Sequence, residues 1–413
     1  MRFECSLEEY KKYKLGELVE NVVAGATPKT SVDDYWNGGD IPWLSSGEVH
    51  KKFIYFTDKF ITSEGYNNSS TKIVPTNSVL IALAGQGKTR GTVAINKIEL
   101  CTNQSIASII PNEMLNYKYL FYYLESKYEY LRALSSSDGG RGGLNLKLIR
   151  SIPIQVPSIK EQENISNFIN EIDKKILLLE QKHKLYDDFK KYLMQQIFTQ
   201  KLRFADSDSC WKEISLKDIG TFYRGHSYNS TNVADEGLLV LRSNNIQGNV
   251  LDFSEDGLQF VDKDCKKELE LQKNDIVICM SNGTRRLVGK SAEYTGNYEN
   301  KVTVGAFCSI FRTKNKLAKY LFQTESYKKN LYLILAGTNI NNLKNSDLEK
   351  FKFNIPTNES EINKIHDLFV SIDNKIDYNK KQLEEITLFK KGLLQQMFVV
   401  QLILSLLQNK KHI

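Results

Sequence analysis

The stretch FKKYLMQQIF at residues 189–198 returns as FKKGLLQQMF at residues 389–398. Two further pairs keep the same spacing of about 200 residues: KYLF at 118–121 with KYLF at 319–322, and FINEIDKKI at 168–176 with FVSIDNKI at 369–376. A chance match does not hold one register across three separate blocks. The chain is therefore two copies of one unit.

Each copy ends in an apolar pattern with the spacing of a coiled coil, in which residues step by alternating threes and fours. The seam residues are Ile165, Ile169, Ile172, Ile176, Leu179, Tyr186, Leu193 and Ile197, then Ile365, Phe369, Ile372, Ile376, Leu383, Ile386, Leu393 and Met397. Polar residues at seam positions, expected to help fix the register, are His183, Lys190, Asn379 and Lys390. The pattern predicts two long helices packed as a coiled coil. Two amphipathic helices, each lying on its own domain, are the alternative.

The region before each helical stretch has a different pattern. Short β-branched runs, bounded by Gly, Asn or Asp, predict strands in SVLIAL, TVAINKI, DIVICM and KVTVGAFCSIF. Aromatic-rich stretches at residues 117–134 and 317–335 predict helices. We therefore expect an α+β fold of two similar domains, each followed by a long helix. The expected bounds are a first domain at 1–157, a first helix at 158–204, a second domain at 205–356, and a second helix with tail at 357–413.

Composition limits the class of protein. Of the 413 residues, 41% are hydrophobic and 25% are charged, which is typical of globular proteins. No uncharged apolar run approaches the ~20 residues of a membrane span, and the amino terminus mixes acids and bases where a signal peptide would be apolar. We therefore expect a cytoplasmic protein without a membrane partner. The six scattered cysteines are interpreted as buried thiols rather than a metal cluster.

The absence of two sequence motifs argues against catalysis by this chain. None of the seven prolines adjoins another, so the Asx/Ser-Pro-Pro-aromatic motif of amino-group DNA methyltransferases is absent. The stretch ALAGQGKT at residues 82–89 resembles a phosphate-binding loop, but such a loop must lead into a helix. Here the residues that follow, RGTVAINKIEL, are strand-like. We expect no catalytic residues and no metal site.

Polar and basic residues beside glycines and strand ends are the candidates for DNA contacts. The net charge of +7 permits a polyanionic partner. Arg and Lys bind phosphates or guanine, and Asn binds adenine. The candidates are Ser45, Ser46, Gln86, Lys88, Arg90 and Arg141 in the first copy, and Arg242, Asn244, Asn245, Asn282, Arg285 and Arg286 in the second. A solvated basic turn is the alternative for the loops, and Trp43 is interpreted as a core residue.

Taken together, the order of parts resembles the specificity subunit of a type I restriction-modification system. The similar phrases, in chain order, are KLGELVENVVAGATPKT, YWNGGDIPWLSSGEV, GKTRGTVA, TNQSIASI, IPIQVPSIKEQENI and KKGLLQQMF. The second copy departs from the pattern, with TNESEINKI in place of SIKEQENI and a tail after Val399 unlike its counterpart.

The resemblance implies two target recognition domains, held apart by an antiparallel pair of helices, that read a bipartite site on double-stranded DNA. It also implies two methyltransferase subunits, which use S-adenosylmethionine, and two motor-nuclease restriction subunits, which use ATP and Mg²⁺. This chain itself would bind no cofactor. Two rival functions stay open: a structural coiled-coil scaffold without DNA specificity, and a stand-alone methyltransferase or ATPase, which the missing motifs disfavour.

Overall fold

The computed structural model describes residues 10–85, 87–134, 143–204, 210–337 and 341–398. The chain forms two compact units, Met1–Glu180 with Lys381–Ile413, and Gln181–Lys380. The two long helices, Ile159–Phe198 and Glu359–Phe398, each give one half to each unit. Within the described ranges, every helix is too short or too polar to cross a lipid bilayer.

The first domain is built on a five-stranded sheet in the order Val19–Ala24, Ile106–Pro111, Val79–Ala82, Val93–Asn96 and Phe53–Ile54. A three-stranded sheet has the order Lys59–Ile61, Ile41–Leu44 and Cys101–Thr102, and Lys11–Lys14 pairs with Pro153–Val156. Its helices are Ser63–Asn67, Tyr117–Ser126, Tyr128–Leu134 and Leu146–Arg150. The strands and helices expected from sequence in this domain are confirmed.

The second domain has a four-stranded sheet in the order Gly220–Arg224, Cys308–Thr313, Ile276–Cys279 and Ser291–Glu293. A second four-stranded sheet has the order Val233–Ala234, Phe260–Val261, Leu238–Leu241 and Val302–Val304. Two further pairs are Trp211–Ser215 with Lys352–Pro356, and Ile246–Gln247 with Val250–Leu251. Its helices are Leu216–Ile219, Ala318–Leu321, Glu325–Ala336 and Asn345–Leu348.

The heptad residues of the long helices are buried in both units. In the unit of the first domain, the cluster holds residues from the first half of one helix and the last half of the other: Ile165, Ile169, Ile172, Leu393 and Met397. In the unit of the second domain, the corresponding cluster holds Leu193, Ile197, Ile365, Phe369 and Ile372. First half meets last half each time, so the pairing is antiparallel and the expected coiled coil is confirmed.

The alternative for the helices also describes part of the packing. The cluster in the first unit includes Tyr119 and Leu120 of the first domain, and that in the second includes Tyr320 of the second domain. The seam residues therefore contact the partner helix and the adjoining domain at once. In each unit, the contacts between the helices and the contacts of the helices with the domain share one cluster of buried residues.

One sequence-based expectation is wrong. Cys101, Cys279 and Cys308 are buried as expected, but Cys210 is exposed and Cys265 is half-buried. Cys210 lies directly before the edge strand Trp211–Ser215, where its backbone carbonyl accepts hydrogen bonds from Thr357. Cys210 takes part in this strand pairing through its backbone alone, so its side chain can stay exposed outside the core.

Candidate nucleic-acid interface

The two domains carry the same backbone frame at the ends of three strands. The carbonyl of Leu44 accepts a hydrogen bond from the amide of Asn103, and the carbonyl of Leu241 accepts one from Gly305. In the same way, the amide of Leu83 donates to the carbonyl of Ser105, and that of Met280 donates to Phe307. These bonds align the strand ends of the first domain with those of the second. Ser45 corresponds to Arg242, and Ser105 corresponds to Phe307.

Glycines mark the places where this frame admits no side chain. The amide of Gly25 donates to the carbonyl of Ile106, and that of Gly225 donates to Cys308. A Cβ atom on Gly25 would lie 1.9 Å from the carbonyl oxygen of Thr102, and one on Gly225 would lie 2.1 Å from that of Gly305. Each copy therefore needs glycine here for close backbone approach.

The basic loop of the first domain, residues 87–90, is hydrogen-bonded to the helix Tyr128–Leu134. The hydroxyl of Tyr128 donates to the carbonyl of Lys88 at 2.9 Å, and the Arg132 guanidinium donates to that of Gly87 at 2.6 Å. The Lys88 side chain is exposed and that of Arg90 is half-buried. Because the segment after this loop is the strand Val93–Asn96, the phosphate-binding-loop interpretation stays excluded, as expected.

The other first-domain candidates differ in how their side chains are used. The Ser45 hydroxyl donates to Glu48 at 3.0 Å, in a capping arrangement that begins a short helix at Ser46. Ser46 is half-buried. Gln86 and Arg141 lie outside the described residues. Trp43 is buried and donates its indole N–H to the carbonyl of Ala26, which confirms it as a core residue.

In the second domain, two asparagines hold the frame. The Asn245 side chain is 2% exposed, accepts from the amide of Arg242 at 2.9 Å and donates to the carbonyls of Asp252 and Gly257. The Asn282 amide donates to the Ser243 hydroxyl at 3.0 Å and accepts from the amide of Thr284. Both side-chain amides are therefore used in hydrogen bonds within the domain.

Three further second-domain candidates are exposed. Asn244 is exposed and donates to the carbonyl of Gly257 at 3.3 Å. Arg285 and Arg286 are both exposed and lie in one turn of helix, Arg285–Leu287. Two neighbouring cations on an exposed turn have the geometry for phosphate contacts.

A cleft of about 580 Å³ opens where the strand ends of the second domain meet. Arg242, Asn244 and Asn282 line it, together with His226 and Phe307, which the sequence analysis did not single out. Phe307 is 70% exposed although it follows a buried strand, whereas His226 is 8% exposed. The aligned glycines offered a signal for His226, since Gly25-Ala26 and Gly225-His226 occupy the same place in the two copies.

The chemistry of the cleft favours a partner that offers hydrogen-bond acceptors. Burial, with a contribution from Lys263, lowers the pKa of His226, so its imidazole is neutral at neutral pH. No carboxylate is among the described residues that line the cleft. One guanidinium therefore faces the cleft without a competing anion.

Comparisons with known proteins agree with this arrangement. Among curated relatives, the specificity subunit of the type I restriction enzyme MjaVIII from Methanocaldococcus jannaschii is 23% identical over 410 residues, covering 94% of this chain and 91% of that protein. The EcoR124I/EcoR124II specificity subunit of Escherichia coli is 29% identical over 151 residues, which cover only 37% of its length.

Solved structures share the fold at low identity. The S subunit of a type I restriction-modification system from M. genitalium has a TM-score of 0.60 and 16% identity, covering 96% of this chain and 99% of that one. A chain from a study of complex assembly in the type I R-M system has a TM-score of 0.56 and 14% identity, covering 94% and 97%. The family model for the type I restriction modification DNA specificity domain matches residues 7–185 and 208–388. Since these two matches include both domains and most of both long helices, the chain belongs to that family.

Proposed function

We propose that this chain is the non-catalytic specificity subunit of a type I restriction-modification complex and reads a bipartite site on double-stranded DNA, one half with each domain. The observation that carries the proposal is a single backbone frame present twice, with different side chains at its strand ends. A scaffold without DNA specificity gives no reason for Ser45 and Ser105 in one copy to be Arg242 and Phe307 in the other.

The long helices are the proposed docking surface for the methyltransferase subunits. Leu178 and Tyr378 occupy equivalent places in the two copies and are 63% and 65% exposed. Phe189 and Phe389 form a second equivalent pair, 50% and 56% exposed. Large exposed apolar patches mark protein–protein interaction sites. The complex would hold two methyltransferase and two restriction subunits, and those subunits would bind S-adenosylmethionine, ATP and Mg²⁺.

The proposal is tested by co-expressing the chain with its methyltransferase subunit and mapping methylated adenines along single DNA molecules. The wild type should give one bipartite motif. The variant Lys88→Ala with Arg90→Ala should damage recognition of one half-site, and Arg285→Ala with Arg286→Ala should damage the other. If the side chains bind phosphate, the slope of log affinity against log salt should become less steep by about one per lost contact.

A matched control removes the same charge elsewhere in the second domain. Lys212 and Lys217 are exposed and lie by the edge strand Trp211–Ser215, and neither lines the cleft. Lys212→Ala with Lys217→Ala should leave the motif and the salt slope unchanged. A wild-type complex that methylates without sequence preference would refute the proposal, and wild-type behaviour of both loop variants would demote the loops to solvated turns.

A further inference from the structure

Two buried nitrogen atoms in the cleft of the second domain have no hydrogen-bond partner among the described residues. They are Nε2 of His226 and Nε of Arg242. An unpaired buried polar atom is costly, and buried polar groups in folded proteins are nearly always paired. Their polar neighbours are already occupied, because the Asn282 side chain bonds to Ser243 and Thr284, and Asn245 accepts from the backbone amide of Arg242. Because His226 and Arg242 both line the cleft, a ligand that enters it can supply the missing partners.

We propose that Arg242 and His226 read a guanine in the half-site of the second domain, with the ring of Phe307 packed against the neighbouring base. This assignment rests on the function proposed above and adds the base and the residues that read it. The Arg242 fork matches the O6 and N7 acceptors that guanine presents in the major groove. The proposed role of Asn245 is that of a positioning residue. Its side chain accepts a hydrogen bond from the backbone amide of Arg242 and thereby fixes the backbone that carries the guanidinium.

A base suits this cleft better than a phosphate does. The exposed ring of Phe307 offers an apolar surface, which a base or a thymine methyl can contact and a phosphate cannot use. Exposed arginines for phosphate lie elsewhere in the domain, at Arg285 and Arg286. The neutral imidazole of His226 adds one donor or one acceptor according to its tautomer, without a second charge.

The first domain supplies substitutions that the frame tolerates. It carries Ser45 where the second domain has Arg242, Ala26 where it has His226, and Ser105 where it has Phe307. Arg242→Ser, His226→Ala and Phe307→Ser therefore place side chains that this backbone already accommodates in the other copy. Arg242→Lys keeps the charge and removes only the planar fork.

The experiment selects duplexes from a randomised library with the complex of this chain and its methyltransferase subunits, and maps methylated adenines in parallel. Arg242→Lys and Arg242→Ser should each lose the preference for one guanine in one half-site, by about 5- to 150-fold, the discrimination of a bidentate contact. His226→Ala should weaken the same position, and Phe307→Ser its neighbour. The other half-site, read by the unchanged first domain, should stay at wild type and thereby report correct folding.

The alternatives have distinct outcomes. If Arg242→Lys retains the full motif while Arg242→Ser weakens all sequences equally and flattens the salt slope by about one, Arg242 is a phosphate contact and the assignment is overturned. A wild-type motif in both variants also overturns it. In either case the wild type still reads a bipartite site, so the proposed function stands. A wild type without sequence preference would instead remove the proposed function itself.

Discussion

Lys390 provides a direct test of how the second long helix is held in the unit of the first domain. Its ammonium group lies 2.8 Å from Oδ1 of Asp173 and 2.7 Å from Oε2 of Glu125, and its side chain is 7% exposed. It also lies 5.2 Å from the ring centroid of Tyr122. We expect Lys390→Met to keep the apolar stem while leaving two neighbouring carboxylates without their shared cation.

The size of the effect follows from burial. Removing one partner of a buried ion pair costs about 3–5 kcal/mol, because the remaining charge stays out of water. Glu125 keeps a second cation, since the ammonium group of Lys52 lies 2.8 Å from its Oε1 atom. We therefore expect the lower end of that range, a loss of about 3 kcal/mol in the free energy of unfolding of this unit.

The assay is urea unfolding of the full chain at pH 7, followed by tryptophan fluorescence. Trp36 and Trp43 lie in the first domain, and Trp211→Phe removes the signal of the second. The matched control is Lys391→Met, because Lys391 is exposed and adjoins Lys390. Adding Asp173→Asn to Lys390→Met should recover part of the loss, because one unpaired charge is then removed.

The pH dependence of the free energy of unfolding provides a second test, and its direction can be predicted. Burial acts to raise the pKa of Glu125, but Lys390 and Lys52 outweigh it and hold that pKa below its ordinary value. A carboxylate with a depressed pKa stabilises the fold above its unfolded value of about 4.3, and the gain disappears as the pH falls through the folded value. The gap between wild type and Lys390→Met should be widest above about pH 5 and narrow below about pH 4. A gap under about 1 kcal/mol, or one that does not change with pH, would refute the ion-pair reasoning.

Two further predictions concern the long helices and the cysteines. Inserting one heptad at facing points of both helices keeps the seam and adds about 10 Å to each; we expect loss of the original target, or at best weaker sites with about three more base pairs of spacer. Mapped methylated adenines decide this, and an unchanged spacer would show that the helices do not set the distance. With a thiol reagent, the exposed Cys210 should react well before Cys308, because burial raises the pKa of Cys308 to about 12. Peptide mass mapping measures the order, and equal rates in the folded protein would contradict the burial of Cys308.

The repeat and the long helices were predictable because they depend on periodic patterns along the chain. The spacing of the apolar residues that begins at Ile165 and Ile365 predicts a coiled-coil seam by itself. In the structure, both helices are 40 residues long. The cleft was harder to predict, since its lining comes from separate strand ends that only the fold brings together. The sequence placed Asn245 and Arg242 in one set of candidates, yet their environments differ. The Asn245 side chain is buried and bonds within the domain, whereas the Arg242 side chain lines the cleft.

The division between frame and cleft explains how one fold can serve two recognition sites. Leu44 and Leu241 end equivalent strands and are 0% exposed, so the frame depends on them for its core. Ser45 and Arg242, the next residues along, are not among the buried core residues, and they differ between the two copies. Each good bidentate contact with a base discriminates by about 1–3 kcal/mol, which is too little for one domain to find a site in a genome. Two linked domains multiply their selectivities, and a substitution in one cleft changes half of the target while the helices and both cores stay as they are.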